Sequence, residues 1–144
     1  EISACLVGSE MCIRDSHPLA KLRRPTWRDA AQYPWIMPPL ATVSRTRLEE
    51  AFARAGVAAP SPRIETASIV ALQALLHETG YVTCLAGSVA QLYRRLKLVD
   101  IVPMREQLDF GLIGMMWQAG AASRVLPQLQ ECLRHEAREL QGDA

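Results

Sequence analysis

The sequence predicts an α/β fold with a largely parallel sheet. Short apolar runs closed by proline or glycine alternate along the chain with amphipathic stretches at helical spacing, which is the order expected of strands and crossover helices. The chain has 144 residues, 49% of them hydrophobic and 22% charged, which suits one domain with a real core and excludes disorder or a disulfide-dense scaffold. No apolar run approaches the roughly 20 residues of a spanning helix, so no membrane partner is expected. Formal net charge is +1, so the whole chain carries no strong pull toward nucleic acid.

Residues 1–16 (EISACLVGSEMCIRDS) show neither helical nor sustained alternating periodicity. The run Leu6 to Ser16, LVGSEMCIRDS, resembles one reading frame of the transposon-end adaptor used to prepare DNA libraries for sequencing. The segment is accordingly read as a non-native, adaptor-derived leader, with a genuine N-terminal strand as the alternative, and set aside from functional argument. It carries a net charge of −2, from Glu1, Glu10 and Asp15 against Arg14, which leaves +3 on residues 17–144. Of the four cysteines only Cys84 and Cys132 lie beyond it, without CxxC spacing, so both are expected to be small buried hydrophobes in a reducing cytoplasm.

Thr26, with Asp29 three residues later, is an N-cap signature and predicts a short helix to about Gln32, stopped by Pro34. Trp35-Ile36-Met37, closed by Pro38-Pro39, predicts a buried strand. From Thr42 or Ser44, apolar Leu48, Ala51, Phe52 and Ala55 recur at helical spacing, and Gly56 stands where a C-cap is expected. Arg63-Ile64-Glu65 predicts a second strand, after which Thr66 or Ser68 caps a helix running through His77. That helix carries Ile69, Val70, Leu72, Leu75 and Leu76, more than one apolar stripe, which predicts packing on two sides, one of them a subunit contact.

Tyr81 to Leu85 is a β-prone run, and Ala86-Gly87-Ser88 lets the backbone turn into a helix whose buried stripe should be Val89, Leu92, Tyr93 and Leu96. Leu98 to Val102 is the next predicted strand, ended by Pro103. Phe110 to Trp117 predicts a strand buried on both faces, and the last helix, from near Ser123, carries Leu126, Leu129, Leu133 and Leu140.

In open α/β sheets ligands sit at the carboxyl ends of the strands, where helix N-termini gather. Three loops qualify: Pro38 to Ser44, Glu65 to Ser68, and Ala86 to Ser88. The candidate ligand-binding residues are Thr42, Val43, Ser44, Thr66, Ser68 and Gly87, where hydroxyls and unpaired first-turn amides favour an anion. Plain N-capping is the competing reading of the hydroxyls. Arg45 and Arg63 could pair a carboxylate bidentately, although an exposed helix arginine is the commoner case. The sequence holds no GxSxG, GxGxxG, P-loop or HExxH pattern, so no catalytic residue, metal ligand or cofactor is expected.

The succession His17-Pro18-Leu19-Ala20, then Tyr33-Pro34-Trp35-Ile36-Met37-Pro38-Pro39, then Glu65-Thr66-Ala67-Ser68 resembles the effector-binding domain of LysR-type transcriptional regulators, and the likeness spans residues 17 to about 140. The resemblance implies a periplasmic-binding-protein-like (type II) two-lobed fold, truncated here: a complete second lobe over 17–107, and a partial first lobe to which 108–144 return a strand and a C-terminal helix. It further implies a small organic effector, an organic acid or sugar-like metabolite, held between lobes; DNA contacted through an N-terminal domain of the parent protein; and a homodimer or homotetramer. A solute-binding protein of a transporter is the alternative on the same lobes.

Overall fold

The computed structural model describes residues 2–4, 8–106, 108, 110, 113–115, 117 and 125–142. In chain order the strands and helices are β1 (Ile2–Ala4), β2 (Ser9–Ile13), α1 (Trp27–Ala30), β3 (Ile36–Met37), α2 (Val43–Arg54), β4 (Ile64–Glu65), α3 (Ile69–Glu78), β5 (Thr83–Ala86), α4 (Gly87–Arg95), β6 (Asp100–Val102), β7 (Ile113–Met115) and α5 (Leu126–Gly142). A 3-10 turn, Pro18–Lys21, carries the HPLA segment. The chain divides into two compact units, Gly8–Phe110 and a smaller one made of Glu1–Val7 with Gly111–Ala144.

In the larger unit β3 and β4 pair in parallel, and the bridge Trp35 to Val82 lays the start of β5 parallel on the other side of β3. Beyond β5 comes β2, antiparallel both to β5 and to β6. The sheet is therefore mixed, with β4, β3, β5 and β6 running one way and β2 alone opposing them. α1 and α2 cover one face, where Trp27, Leu48, Ala51 and Phe52 meet Met11, Ile13, Trp35 and Val82. α3 and α4 cover the other, where Leu72, Leu76 and Ala90 meet Cys12, Ile36 and Leu85.

The place of β2 corrects the reading that left residues 1–16 out of the fold. Met11, Cys12 and Ile13 are buried, and alternate side chains of the strand enter both cores. The periodicity is hidden because both faces are covered, so the strand lacks the polar alternation of a half-solvated one. Glu10 interrupts it as well, and burial raises the pKa of that carboxyl while Arg94 acts against the shift.

Trp27, Trp35 and Phe52 form an aromatic cluster, Phe52 presenting its edge to Trp35 at 5.2 Å and to Trp27 at 5.0 Å. Such pairs contribute about 0.5–1.5 kcal/mol each beyond burial. The Trp35 indole N–H donates to Ala30 O at 3.0 Å, so the buried polar atom is satisfied. His17 is buried in the HPLA turn, where its Nδ1 accepts from Leu19 N–H and its Nε2 lies 3.1 Å from Gly80 O. Burial holds its pKa below the ordinary histidine value, which keeps the ring neutral and the Nδ1 acceptor intact.

Three expectations about packing are overturned. Leu92 and Leu96 of α4 are 52% and 57% exposed, because the buried side of that helix is carried by Ala90 with half-buried Val89 and Tyr93. Cys132 is exposed on α5, whereas Cys84 is buried as expected and burial pushes its thiol pKa up. Leu129 and Leu133 of the expected α5 stripe are exposed, and Ala137 is the buried position there. In the smaller unit β7 pairs antiparallel with β1, Ile2 opposite Met115. The expected start of the last helix near Ser123 and the side chain of Leu140 lie outside the described residues.

Candidate effector-binding edge

Because β3, β4 and β5 run parallel as neighbours, the loops that follow them leave the same edge of the sheet. Thr42, Thr66 and Gly87 are thus brought to one rim, with Val43 and Ser44 on the first turn of α2 and Ser68 before α3. A hydrogen bond fixes the loop after β4 to β3, Thr66 N–H donating to Met37 O at 3.1 Å, while Thr42 N–H closes its own loop on Pro39 O at 3.4 Å.

The structure resolves which residue caps each helix. Thr42 is the N-cap of α2, its Oγ1 accepting from Arg45 N–H at 3.3 Å and donating to Pro39 O at 2.8 Å. The Ser44 hydroxyl donates to Thr42 Oγ1 at 3.3 Å. Ser68 caps α3 through Ala71 N–H, and Thr66 Oγ1 accepts from Ser68 N–H at 3.0 Å. These hydroxyls are engaged in shaping the helix starts, so the groups left facing outward are first-turn amides such as those of Val43 and Ser44, which have no intrahelical acceptor. α4 begins differently. Ala86 provides no side-chain cap, and Gly87 N–H donates to Gly8 O at 3.0 Å, tying this helix start to the chain entering β2.

Arg45 holds the arrangement together, and it contradicts the picture of an exposed helix arginine. Its side chain is 8% exposed; Nε donates to Glu49 at 2.6 Å, and Nη1 donates to Glu65 at 3.0 Å and to Pro38 O at 3.2 Å. Burial opposes its charge, but the hydrogen bonds to Glu49 and Glu65 outweigh that and raise its pKa further, so it stays a cation. Arg45 therefore cannot offer its guanidinium to a ligand without abandoning both carboxylates. It is a positioning residue that clamps the loop after β3 to the end of β4. Its place was legible in part: Arg45 stands three residues before Leu48 and seven before Phe52, on the buried face of α2.

The rim is not purely polar. Leu40 and Val43 are 66% and 69% exposed beside α2, and Val70 is 75% exposed at the start of α3. Ala41 between Leu40 and Thr42 adopts φ +64°, a left-handed conformation uncommon outside glycine, and so stores strain in the same loop. At the β2–β6 end of this edge a recess of about 220 Å3 is lined by Ser9, Glu10, Trp27, Cys84, Pro103 and Met104. Recesses of about 490 and 500 Å3 lie toward the opposite edge, where the first is lined by Arg14, His77, Arg94 and Asp100 and the second by Tyr33, Arg63 and Tyr81. Arg63 is exposed there and takes no part in the rim.

A family model for the LysR substrate binding domain matches residues 10–138. The chain belongs to this family. Among curated relatives, the HTH-type transcriptional regulator GbpR of Azospirillum brasilense is 36% identical over 113 residues, covering 76% of this chain and 33% of the relative. The chain spans about a third of the length of the curated relatives it matches. Among solved structures, HinK, a LysR family transcriptional regulator from Pseudomonas aeruginosa, superposes with a TM-score of 0.71 at 16% identity, over 94% of this chain and 47% of that one. The CcmR regulatory domain of Synechocystis PCC6803, solved in complex with 2-PG, gives 0.68 at 16% identity, over 91% and 63%. The LysR effector-binding fold, of the periplasmic-binding-protein type II kind, is thereby shown for this chain.

Proposed function

We propose that the carboxyl edge of β3, β4 and β5 is one half of the effector cleft of a LysR-type regulator. The observation that carries this reading is the convergence of three helix starts on one rim, where the first-turn amides of Val43 and Ser44 have no intrahelical acceptor. Thr42, Thr66 and Ser68 shape the rim through their caps, and Gly87 fixes its third corner. A small organic acid fits such a surface, because amides at a helix N-terminus stabilise a carboxylate through charge-assisted hydrogen bonds. The relative solved with 2-PG belongs to the same fold and supports a small-molecule effector.

In this reading residues 17–107 act as the second lobe, and 108–144 return the chain to the first. An effector touching both lobes stabilises one orientation by its differential affinity, with coupling of roughly 1–3 kcal/mol, and so alters how a dimer or tetramer presents its N-terminal DNA-binding domains in the cytoplasm. The apolar surplus of α3, with Ile69 and Val70 exposed, supports its use as a subunit contact. The domain is read as a binding module rather than an enzyme. The family match favours the regulator over a transporter's solute-binding protein.

The test uses one substitution. Val43 is the first helical residue after a Thr42 in extended conformation, a position that proline tolerates. Val43→Pro removes an amide donor while keeping the helix. In an amide NMR titration with a panel of small carboxylates and sugar acids, the wild-type chain should show perturbed signals at Val43, Ser44, Ser68 and Ser88. The variant should bind about tenfold more weakly with its melting point kept, since one charged hydrogen bond is worth about 1.5–3 kcal/mol. Signals that move only off this edge, or equal affinity in the variant, would overturn the assignment.

A further inference from the structure

The sequence from Lys21 to Arg28, KLRRPTWR, holds four cations and no acid in a chain whose formal net charge is only +1. Lys21, Arg23, Arg24 and Arg28 are all exposed, between the end of the 3-10 turn and the first turn of α1. A fifth cation joins them from elsewhere in the chain. Arg105 N–H donates to Pro25 O at 2.9 Å, which places the exposed Arg105 against the middle of this stretch. Among the described residues none of the five side chains is held in an ion pair, in contrast to the arginines of α2, where Arg45, Arg47 and Arg54 all face glutamates. The nearest acids in sequence are Asp29 and Glu106. Asp29 is engaged in the capping box with Thr26, whose N–H and hydroxyl it accepts at 2.8 and 2.7 Å, so its charge is directed at the helix start.

The result is a basic face confined to eight consecutive residues and one neighbour, a span of less than about 25 Å even if fully extended. It is poor in apolar surface: Leu22, at 43% exposure, is its one large exposed hydrophobe. Protein interfaces centre on desolvated apolar or aromatic anchors. A cluster of guanidinium groups without such a centre suits sequence-independent contact with phosphates, which duplex DNA presents at one charge per roughly 1.7 Å of axis.

We propose that this face, Lys21, Arg23, Arg24, Arg28 and Arg105, contacts the phosphate backbone of duplex DNA. None of the five belongs to the loops after β3, β4 and β5 that form the rim, although Arg105 follows β6 at the same edge of the sheet, and the contact needs no effector. The curated relative is an HTH-type regulator, so the parent's working partner is the polymer this face complements. Contacts of this kind add affinity and orientation without reading bases.

The test uses the 144-residue chain and a labelled 25-base-pair duplex of arbitrary sequence, followed by fluorescence anisotropy as salt is varied. Neutralising five phosphates gives a log–log salt slope of about −4.5, so binding should weaken about 500-fold between 50 and 200 mM salt. The triple variant Arg23→Glu, Arg24→Glu, Arg28→Glu should lose binding at 50 mM salt. The corresponding Gln variant should show a slope reduced by about three charges' worth. Arg47→Glu with Arg54→Glu on α2 should bind like the wild type. A circular dichroism melt on each protein confirms that the fold is retained. Lack of saturable binding at 50 mM salt, or equal loss in the α2 variant, would overturn the proposal. So would displacement of the duplex by poly-glutamate at equal charge, which would reassign the face to an acidic protein. None of these outcomes bears on the carboxylate titration, so the two readings fail separately.

Discussion

Helices α2 and α4 leave the same edge of one sheet and are specified in opposite ways. α2 is written in its own residues: Thr42 caps it, Leu48, Ala51 and Phe52 bury one face, and it closes on Gly56 at φ +66° with Val57 N–H returning to Phe52 O. α4 starts without a side-chain cap, fully buries only Ala90, exposes Leu92 and Leu96, and closes on Lys97 at φ +57° with Leu98 N–H returning to Tyr93 O. Both ends form the same left-handed closing turn, one with glycine and one against its preference. The difference teaches that α2 brings its boundaries with it, whereas α4 is held in place by its neighbours, above all by the hydrogen bond from Gly87 to Gly8.

Truncating the buried faces should separate the two most widely. Phe52→Ala removes a fully buried ring from the aromatic cluster and should cost about 3–5 kcal/mol, while Leu92→Ala should change stability by less than about 0.5 kcal/mol. Urea unfolding midpoints read this directly, and equal losses would erase the distinction. The helix starts come next. Thr42→Ala should lose about 1 kcal/mol, whereas Ala86→Ser, at a backbone of φ −56° and ψ 139° suited to a cap, should gain about 0.5 kcal/mol by supplying what α4 lacks. Thermal melts of the two variants should therefore move in opposite directions. Effects of the same size are expected at the closing turns: Gly56→Ala should destabilise by about 1 kcal/mol, and Lys97→Gly should stabilise by about 0.5 kcal/mol. Stabilisation by both, or by neither, would show that the left-handed backbone is not what distinguishes these ends.

The same contrast explains what could be read before any coordinates. Local signals were legible: the Thr26 and Asp29 capping box, the proline stops around Trp35, and Gly56 at the end of α2 each act within a few residues of their effect. Contacts across the fold were not. Arg45 meets Glu65 from a different strand, and nothing in the spacing of α2 names that partner. Leu92 and Leu96 satisfy a helical period yet face outward, because the period gives a stripe without saying which neighbour covers it. β2 was missed because burial on both faces removes alternation. The candidate rim lay between these cases. Each helix start could be found along the chain, but their adjacency depends on β3 standing between β4 and β5, an order that pairing alone fixes.

The Arg45 clamp bears on how this surface would discriminate. With one guanidinium gripping Glu49, Glu65 and the Pro38 carbonyl, the edge is finished during folding, like a cut lock awaiting its key. On the proposed reading a docking molecule would surrender little loop entropy, and selectivity would rest on the fixed contour around Val43 and Ser44. Altering taste at this edge would mean recutting that contour, since lengthening a hinge would leave it unchanged.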